Sequence, residues 1–373
     1  MIEIVTKISE FDTNSQKIIR QWFAIRSIAE STAQTYLSYI SQFTKHSENT
    51  LYHIYQTAQK QQLNQVPLND RKLTQLIIDY KYFIEEKNYA QTTKNIKIKV
   101  IFSFCKAFEF ETPHIRIKRA ICEDKNYERP ITKKELLLLL HTNPLREKAF
   151  LMLQATSGMS SKEARKLTIH DLITIINNEL HTKFETTNDL LFNRETILQT
   201  KVYEVRRTRE KVNYRYITYI NKECMKHLLN YIEYRSKQKN NKKLPETVHT
   251  PIFIANNGHE MTSRSVTAMY REMGNKVGFT NEKNTYRFWR SHNIRKYFYN
   301  IVEEVVGSEY ADEWLGHMPN QVTRAYARRE YRMKEAYLKC LPYLALEEDI
   351  ERVEKKINDL EEEIKRLKSK YGQ

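Results

Sequence analysis

Glycine and proline are scarce in this chain of 373 residues, at 7 and 8 copies. That excludes collagen-like and glycine-rich disordered architectures, and the 40% hydrophobic content supplies enough apolar material for folded cores. The four cysteines (Cys105, Cys122, Cys224, Cys340) include no C-x-x-C pair, so neither a structural zinc site nor a disulfide framework is expected. Apolar runs are also short: Leu136 to Leu140 is only five residues, against the ~20 needed to span a bilayer. The start, Met1-Ile2-Glu3-Ile4-Val5, has no basic and apolar secretory pattern, so a cytoplasmic location is expected. No glycine opens a G-x-x-x-x-G-K-[ST] phosphate loop, which argues against an ATP-driven mechanism. No cluster of acidic residues suggests a two-metal nuclease, so neither cofactor nor metal is expected.

What the chain has in excess is positive charge. Lys and Arg number 62 against 46 Asp and Glu, a formal charge of +16, which favours an anionic polymer as partner over a small neutral ligand. At roughly 150 residues per domain the length suits two domains and an appendage.

From Asn14 to Phe108 apolar residues return every three or four positions, as in Tyr36, Ile40 and Phe43 and in Leu76, Ile77, Tyr80, Phe83 and Ile84, which predicts four or five short helices. Ser31-Thr32, Asn69-Asp70 and Thr92-Thr93 read as their caps. In the last of these helices, Lys94, Lys97 and Lys99 alternate with Ile96, Ile98 and Val100, a pattern suited either to lysines facing phosphates or to a merely solvated basic face. Periodicity lapses between Glu111 and Arg129, where a linker is expected.

Thr132 and Glu135 have capping-box spacing ahead of the leucine run, and a helix from Leu145 to Ala155 is expected to stop at Thr156-Ser157-Gly158. Alternation over Thr196 to Val205 and Tyr214 to Ile220, with a charged turn Arg206 to Lys211, reads as an antiparallel hairpin with a lysine near its tip. Helices are predicted at Lys222 to Lys237, Ser263 to Met273 and Ser291 to Val306, with short segments from Ala311 to Tyr337. Finally, Leu346, Ile350, Val353, Ile357, Leu360, Ile364, Leu367 and Tyr371 alternate steps of four and three, a heptad pattern suited to self-association or to an intramolecular strut. The fold class read from this pattern is α+β, mostly α: an all-α N-terminal domain, a mixed domain with a small antiparallel sheet, and a C-terminal heptad helix.

His292-Asn293-Ile294-Arg295 sets an imidazole and a guanidinium on one helical face, able to share one small anion. Alone, H-x-x-R is a common surface pattern. Here it stands in an ordered set: Lys211 in the hairpin, then H-x-x-R, then Leu315-Gly316-His317, then Tyr326 nine residues on. That set resembles the tyrosine recombinase, or phage-type integrase, family. Phe253 to Thr262 agrees with it, and Ser157 to Ser161 with Glu163, Arg209-Glu210-Lys211, and Tyr326 followed by Tyr337 and Leu344 bring the chain closest to archaeal-type integrases. The resemblance implies a helical (SAM-like) core-binding domain over residues 1–111, a linker at 112–128, a catalytic domain at 129–345 and the heptad helix at 346–373.

It also implies chemistry. Tyr326 would attack a DNA phosphodiester, forming a 3′-phosphotyrosyl link and releasing a 5′-hydroxyl. A phenol with an ordinary pKa of about 10 is a poor nucleophile at neutral pH without a nearby base or cations, and His292 and His317 match the assisting positions. Arg295 would hold the non-bridging phosphate oxygens, and Lys211 would protonate the departing oxygen. The partner implied is double-stranded DNA, bound by a homo-tetramer on paired sites, with no membrane and no small-molecule substrate.

One position departs from the family pattern. Three residues before Glu163, where an arginine is usual, stands Ser160. Arg165, four residues beyond Ser161 on the same helix face and leaning toward the N-terminus, is the expected replacement, whereas Lys162 differs in helical phase. With neither substituting, the rate loss would be on the order of 10²–10³, and the chain would act as a weakly active or non-catalytic DNA-binding accessory protein. A type IB topoisomerase-like relaxase fits the N-terminal helical domain less well.

Overall fold

A computed structural model describes residues 6–118, 129–209, 213–238, 247–281, 286–317 and 330–347. The chain divides into two compact units, Met1–Glu123 and Asp124–Gln373.

The helices described in the first unit include α1 (Thr13–Ile25), α2 (Glu30–His46), α3 (Leu51–Leu63), α4 (Lys72–Glu86) and α5 (Gln91–Ala107). Trp22, Ile40, Phe43, Ile77, Tyr80 and Phe104 are fully buried in its core, with Phe43 edge-on to Tyr80 and Trp22 edge-on to Phe104. Of the foreseen caps none sits at its helix boundary. α2 and α5 begin after Ala29 and Ala90, neither of which makes a side-chain cap, so Ser31-Thr32 and Thr92-Thr93 lie inside the first turns. Asn69-Asp70 form a 3₁₀ turn, and Arg71 precedes α4.

The basic helix also differs from its sequence pattern. Lys97 is 2% exposed, bonded to the Gln42 side chain and set against the Tyr39 and Tyr89 rings at 4.6 Å. Lys94 donates to the Glu85 carbonyl at 2.9 Å, while Ile96 is exposed. The helical period carries Lys97, Ile98 and Ile101 onto the core face, so strict alternation of lysine and isoleucine does not separate the two faces.

The second unit begins with α6 (Lys133–Thr142), whose Thr132–Glu135 capping box is complete. α7 (Leu145–Ser157) follows, and every residue from Ala149 to Ser157 is buried, with the polar Gln154, Thr156 and Ser157 all hydrogen-bonded within the unit. It packs against α12 (Lys222–Lys237) and α14 (Ser291–Val306). Between lie α8 (Ser161–Arg165), α9 (Ile169–Leu180), α10 (Thr187–Phe192) and α11 (Arg194–Ile197), then strands β1 (Val202–Arg209) and β2 (Tyr214–Asn221). α13 (Ser263–Lys276), α15 (Ser308–Trp314) and α16 (Glu330–Leu344) complete the unit.

The antiparallel pair is in register from Val202 opposite Asn221 to Arg209 opposite Tyr214. The strand expected from Thr196 therefore starts later: Thr196 and Ile197 close α11, and the Tyr203 hydroxyl donates to the Ile197 carbonyl at 2.5 Å. The charged stretch from Arg206, foreseen as turn, is strand up to Arg209, because its charges find partners: Arg207 pairs with Asp171 at 3.0 Å and Arg209 donates to two carbonyls. Lys211 lies outside the described residues.

Leu346 is fully buried in the core of this unit, its N–H donating to Glu223 at 2.7 Å. Glu347 is held by His227 at 2.9 Å, and that bond with the neighbouring Lys226 brings its carboxyl down to about 2. The rest of the heptad segment lies outside the described residues. Among those described, no helix is long and apolar enough to cross a membrane.

Candidate active site

Two glycine turns and one buried arginine organise the site. α7 ends at Gly158, in the left-handed region at φ 65°, where an added Cβ would stand 2.4 Å from the Phe298 ring. α15 runs into Gly316, at φ 63°, where a Cβ would stand 2.7 Å from the Tyr216 ring. Both turns present carbonyls to Arg295. Its guanidinium donates to the Gly158 carbonyl and, at 2.7 Å, to that of Leu315, with the Glu163 carboxylate 3.7 Å away. Burial pulls the Arg295 pKa below the ordinary arginine value while Glu163 opposes the shift; an arginine remains a cation throughout.

Ser160 caps α8 in a closed box: its N–H donates to Glu163 at 2.8 Å and its hydroxyl accepts from the Glu163 N–H at 3.3 Å. The hydroxyl is thus engaged in holding a helix end, and it carries no charge.

His292 and Arg295 lie one turn apart on α14, and both line a cleft of about 630 Å³ together with Ser160, Ser161, Arg287 and Arg290. Partial burial lowers the His292 pKa, and the positive fields of Lys296, Arg290 and Arg295 lower it further, so the imidazole is neutral at pH 7 and able to accept a proton. His317 is fixed twice by Asp312: its Nδ1 lies 2.7 Å from the carboxylate and its backbone N–H donates to the Asp312 carbonyl at 2.8 Å. With Nδ1–H donating, Nε2 is the outward nitrogen. Arg209 donates to the Leu315 and Gly316 carbonyls at 3.2 and 2.9 Å, anchoring the end of β1 to the turn that carries His317.

Of the sequence-derived residues, the structure brings His292 and Arg295 to one cleft and sets His317 beside the Leu315–Gly316 turn that Arg295 grips. Arg165 goes elsewhere: its Nη1 donates to the Met261 carbonyl at 2.9 Å, and it does not line the cleft. Lys211 and Tyr326 lie outside the described residues. Tyr337, a neighbouring tyrosine, is fully buried and donates to the Thr156 carbonyl at 2.7 Å, a structural role.

The family model for phage integrases matches residues 129–333, more than half of the chain and all of the described cleft. The chain belongs to the phage integrase family. Membership makes it a tyrosine-type recombinase enzyme. Two solved structures of lambda integrase share the fold. One is a tetramer bound to a Holliday junction, at 13% identity and TM-score 0.52, covering 84% of this chain and 81% of the other. The second is a dimer of residues 75–356 bound to a COC′ core site, at 15% identity and TM-score 0.50, covering 83% and 93%. No curated protein matches the chain.

Sequence reasoning missed Arg287 and Arg290, which enter this integrase cleft just ahead of α14, and Asp312, which orients His317. A signal existed for the first pair: two arginines three apart, directly before a helix bearing H-x-x-R.

Proposed function

We propose that this chain is a site-specific recombinase of the archaeal type that cuts and rejoins duplex DNA during integration or excision of a mobile or viral element. The observation that carries the reading is Arg295, a buried cation clamped by two backbone carbonyls at the wall of a cationic cleft, with neutral His292 one helical turn away. A guanidinium fixed before substrate arrives needs no reorganisation when charge develops on the phosphate oxygens.

In this scheme the Tyr326 hydroxyl attacks phosphorus, His292 or His317 accepts its proton, and the bond to the 5′-oxygen breaks as Lys211 donates a proton to it. The 3′-phosphotyrosyl link keeps the phosphate ester, so a 5′-hydroxyl from another strand reverses the step and no ATP is consumed. A phosphate contact by Arg165 would come from guanidinium donors other than the Nη1 bonded to the Met261 carbonyl. Double-stranded DNA is the partner, with four protomers on two paired sites and the heptads from Ile350 onward adding a contact between protomers.

Ser160 favours a second reading, a DNA-binding accessory protein with little or no turnover. Covalent capture decides between them. The purified protein is incubated with fragmented DNA and denatured in detergent, and the attached ends are sequenced. Adducts at a discrete site with wild type and none with Tyr326→Phe are expected; DNA binding without adducts from either protein supports the accessory reading.

A further inference from the structure

The family pattern places a cation where this chain has Ser160, and the cleft contains another cation able to reach the same anion. We infer that Arg290 contacts the scissile phosphate in place of the arginine absent at Ser160. The inference rests on the recombinase reading above and assigns one more residue to its site.

Geometry carries the argument. Ser160, Arg290, His292 and Arg295 all border one cleft, so a phosphate drawn to Arg295 lies within the field of Arg290. Arg290 is the residue immediately before α14, in extended conformation at φ −88° and ψ 157°, two positions from His292. Its guanidinium carbon lies 4.1 Å from the centre of the Tyr286 ring. That cation–π contact holds the guanidinium beside the start of α14. The α14 N-terminus, with no side-chain cap, adds a favourable dipole for an anion at the same place.

Arg165 is bonded to the Met261 carbonyl, and Arg209 spans the Leu315 and Gly316 carbonyls. Partial burial lowers the Arg290 pKa, and its charge in turn lowers that of His292, which places the two groups in one electrostatic site. Arg290 and Arg295 would then grip the phosphate oxygens from two segments, α14 itself and the chain leading into it.

Two measurements on the full chain test this. In the first, inorganic orthovanadate, a phosphate mimic, is titrated into wild type, Arg290→Gln, Arg290→Lys and Arg165→Gln and followed by ⁵¹V NMR, with circular dichroism melts confirming the fold. Loss of one charge-assisted contact weakens binding by roughly tenfold in Arg290→Gln, with partial recovery in Arg290→Lys. Unchanged vanadate affinity in folded Arg290→Gln, or a larger loss in Arg165→Gln, overturns the inference.

The second uses the duplex recovered by covalent capture, made with either a normal phosphate or a neutral methylphosphonate at the scissile position. Arg290→Gln lowers adduct formation on the order of 10²–10³ on the phosphate, and the deficit shrinks on the methylphosphonate because there is less charge to neutralise. An equal deficit on both substrates overturns the phosphate contact. Adducts formed by Tyr326→Phe would overturn the nucleophile assignment instead, and the vanadate result would still decide the role of Arg290.

Discussion

Lys97 in the N-terminal unit and Arg295 in the C-terminal unit are both buried cations on helices, and they serve opposite ends. Lys97 turns inward to a side-chain amide and two aromatic rings of its own bundle, so its charge is absorbed by the fold. Arg295 is held by the carbonyls of Gly158 and Leu315 while bordering an open cleft. Guanidinium has five donors in a rigid fork, so it can be fixed by backbone on one side and still offer donors on the other; an ammonium on a flexible stem has no such second edge. A basic stripe in a sequence therefore marks a phosphate surface only when tertiary contacts leave its charge facing outward.

The contrast can be broken most sharply at Arg295. Arg295→Lys keeps the charge and removes the fork, and covalent adduct formation on the captured duplex is expected to fall on the order of 10²–10³. Retained activity would show that charge alone suffices. Asp312→Asn is expected to slow the same step by loosening the orientation of His317, with DNA affinity maintained in an electrophoretic shift assay.

On the other side of the comparison, exposed Lys99 and buried Lys97 should differ in salt dependence. Lys99→Gln is expected to reduce the slope of log affinity against log salt by about 0.9, one phosphate contact. Lys97→Met should leave the slope unchanged, and an equal loss in both would mean that Lys97 leaves its pocket to meet DNA.

The smallest effect is on pH dependence. Because burial and three cations depress the His292 pKa below its ordinary 6.5, the acid limb of the cleavage rate should lie below that pH, activity being lost as His292 gains a proton. Lys296→Gln removes one of those cations and should move the limb upward. A limb unmoved by this substitution would assign it to another group.

Much of the fold was legible because local rules dominate there. The Thr132–Glu135 capping box, the end of α7 at a left-handed glycine, and the limits of α12 and α14 follow from caps and periodicity. The misreadings fall where long-range contacts override local pattern. Thr196 and Ile197 became helix under the Tyr203 hydroxyl, and Arg206 to Arg209 became strand because Asp171 and the Leu315–Gly316 turn supply partners. α9, α10 and α11 passed unread although Thr168 and Thr186 each form a capping box.

The site divides in the same way. Net charge, the succession of helices and the ordered set of Lys211, H-x-x-R, Leu315-Gly316-His317 and Tyr326 are properties of the sequence, because they depend only on residue identity and spacing along one chain. Which arginines face the anion is not such a property. Arg165 has the helical phase to serve and is drawn to Met261, whereas Arg290, remote from Ser160 in sequence, shares a cleft with it. Only tertiary packing decides that, since each guanidinium takes its orientation from carbonyls, carboxylates and rings contributed by distant segments.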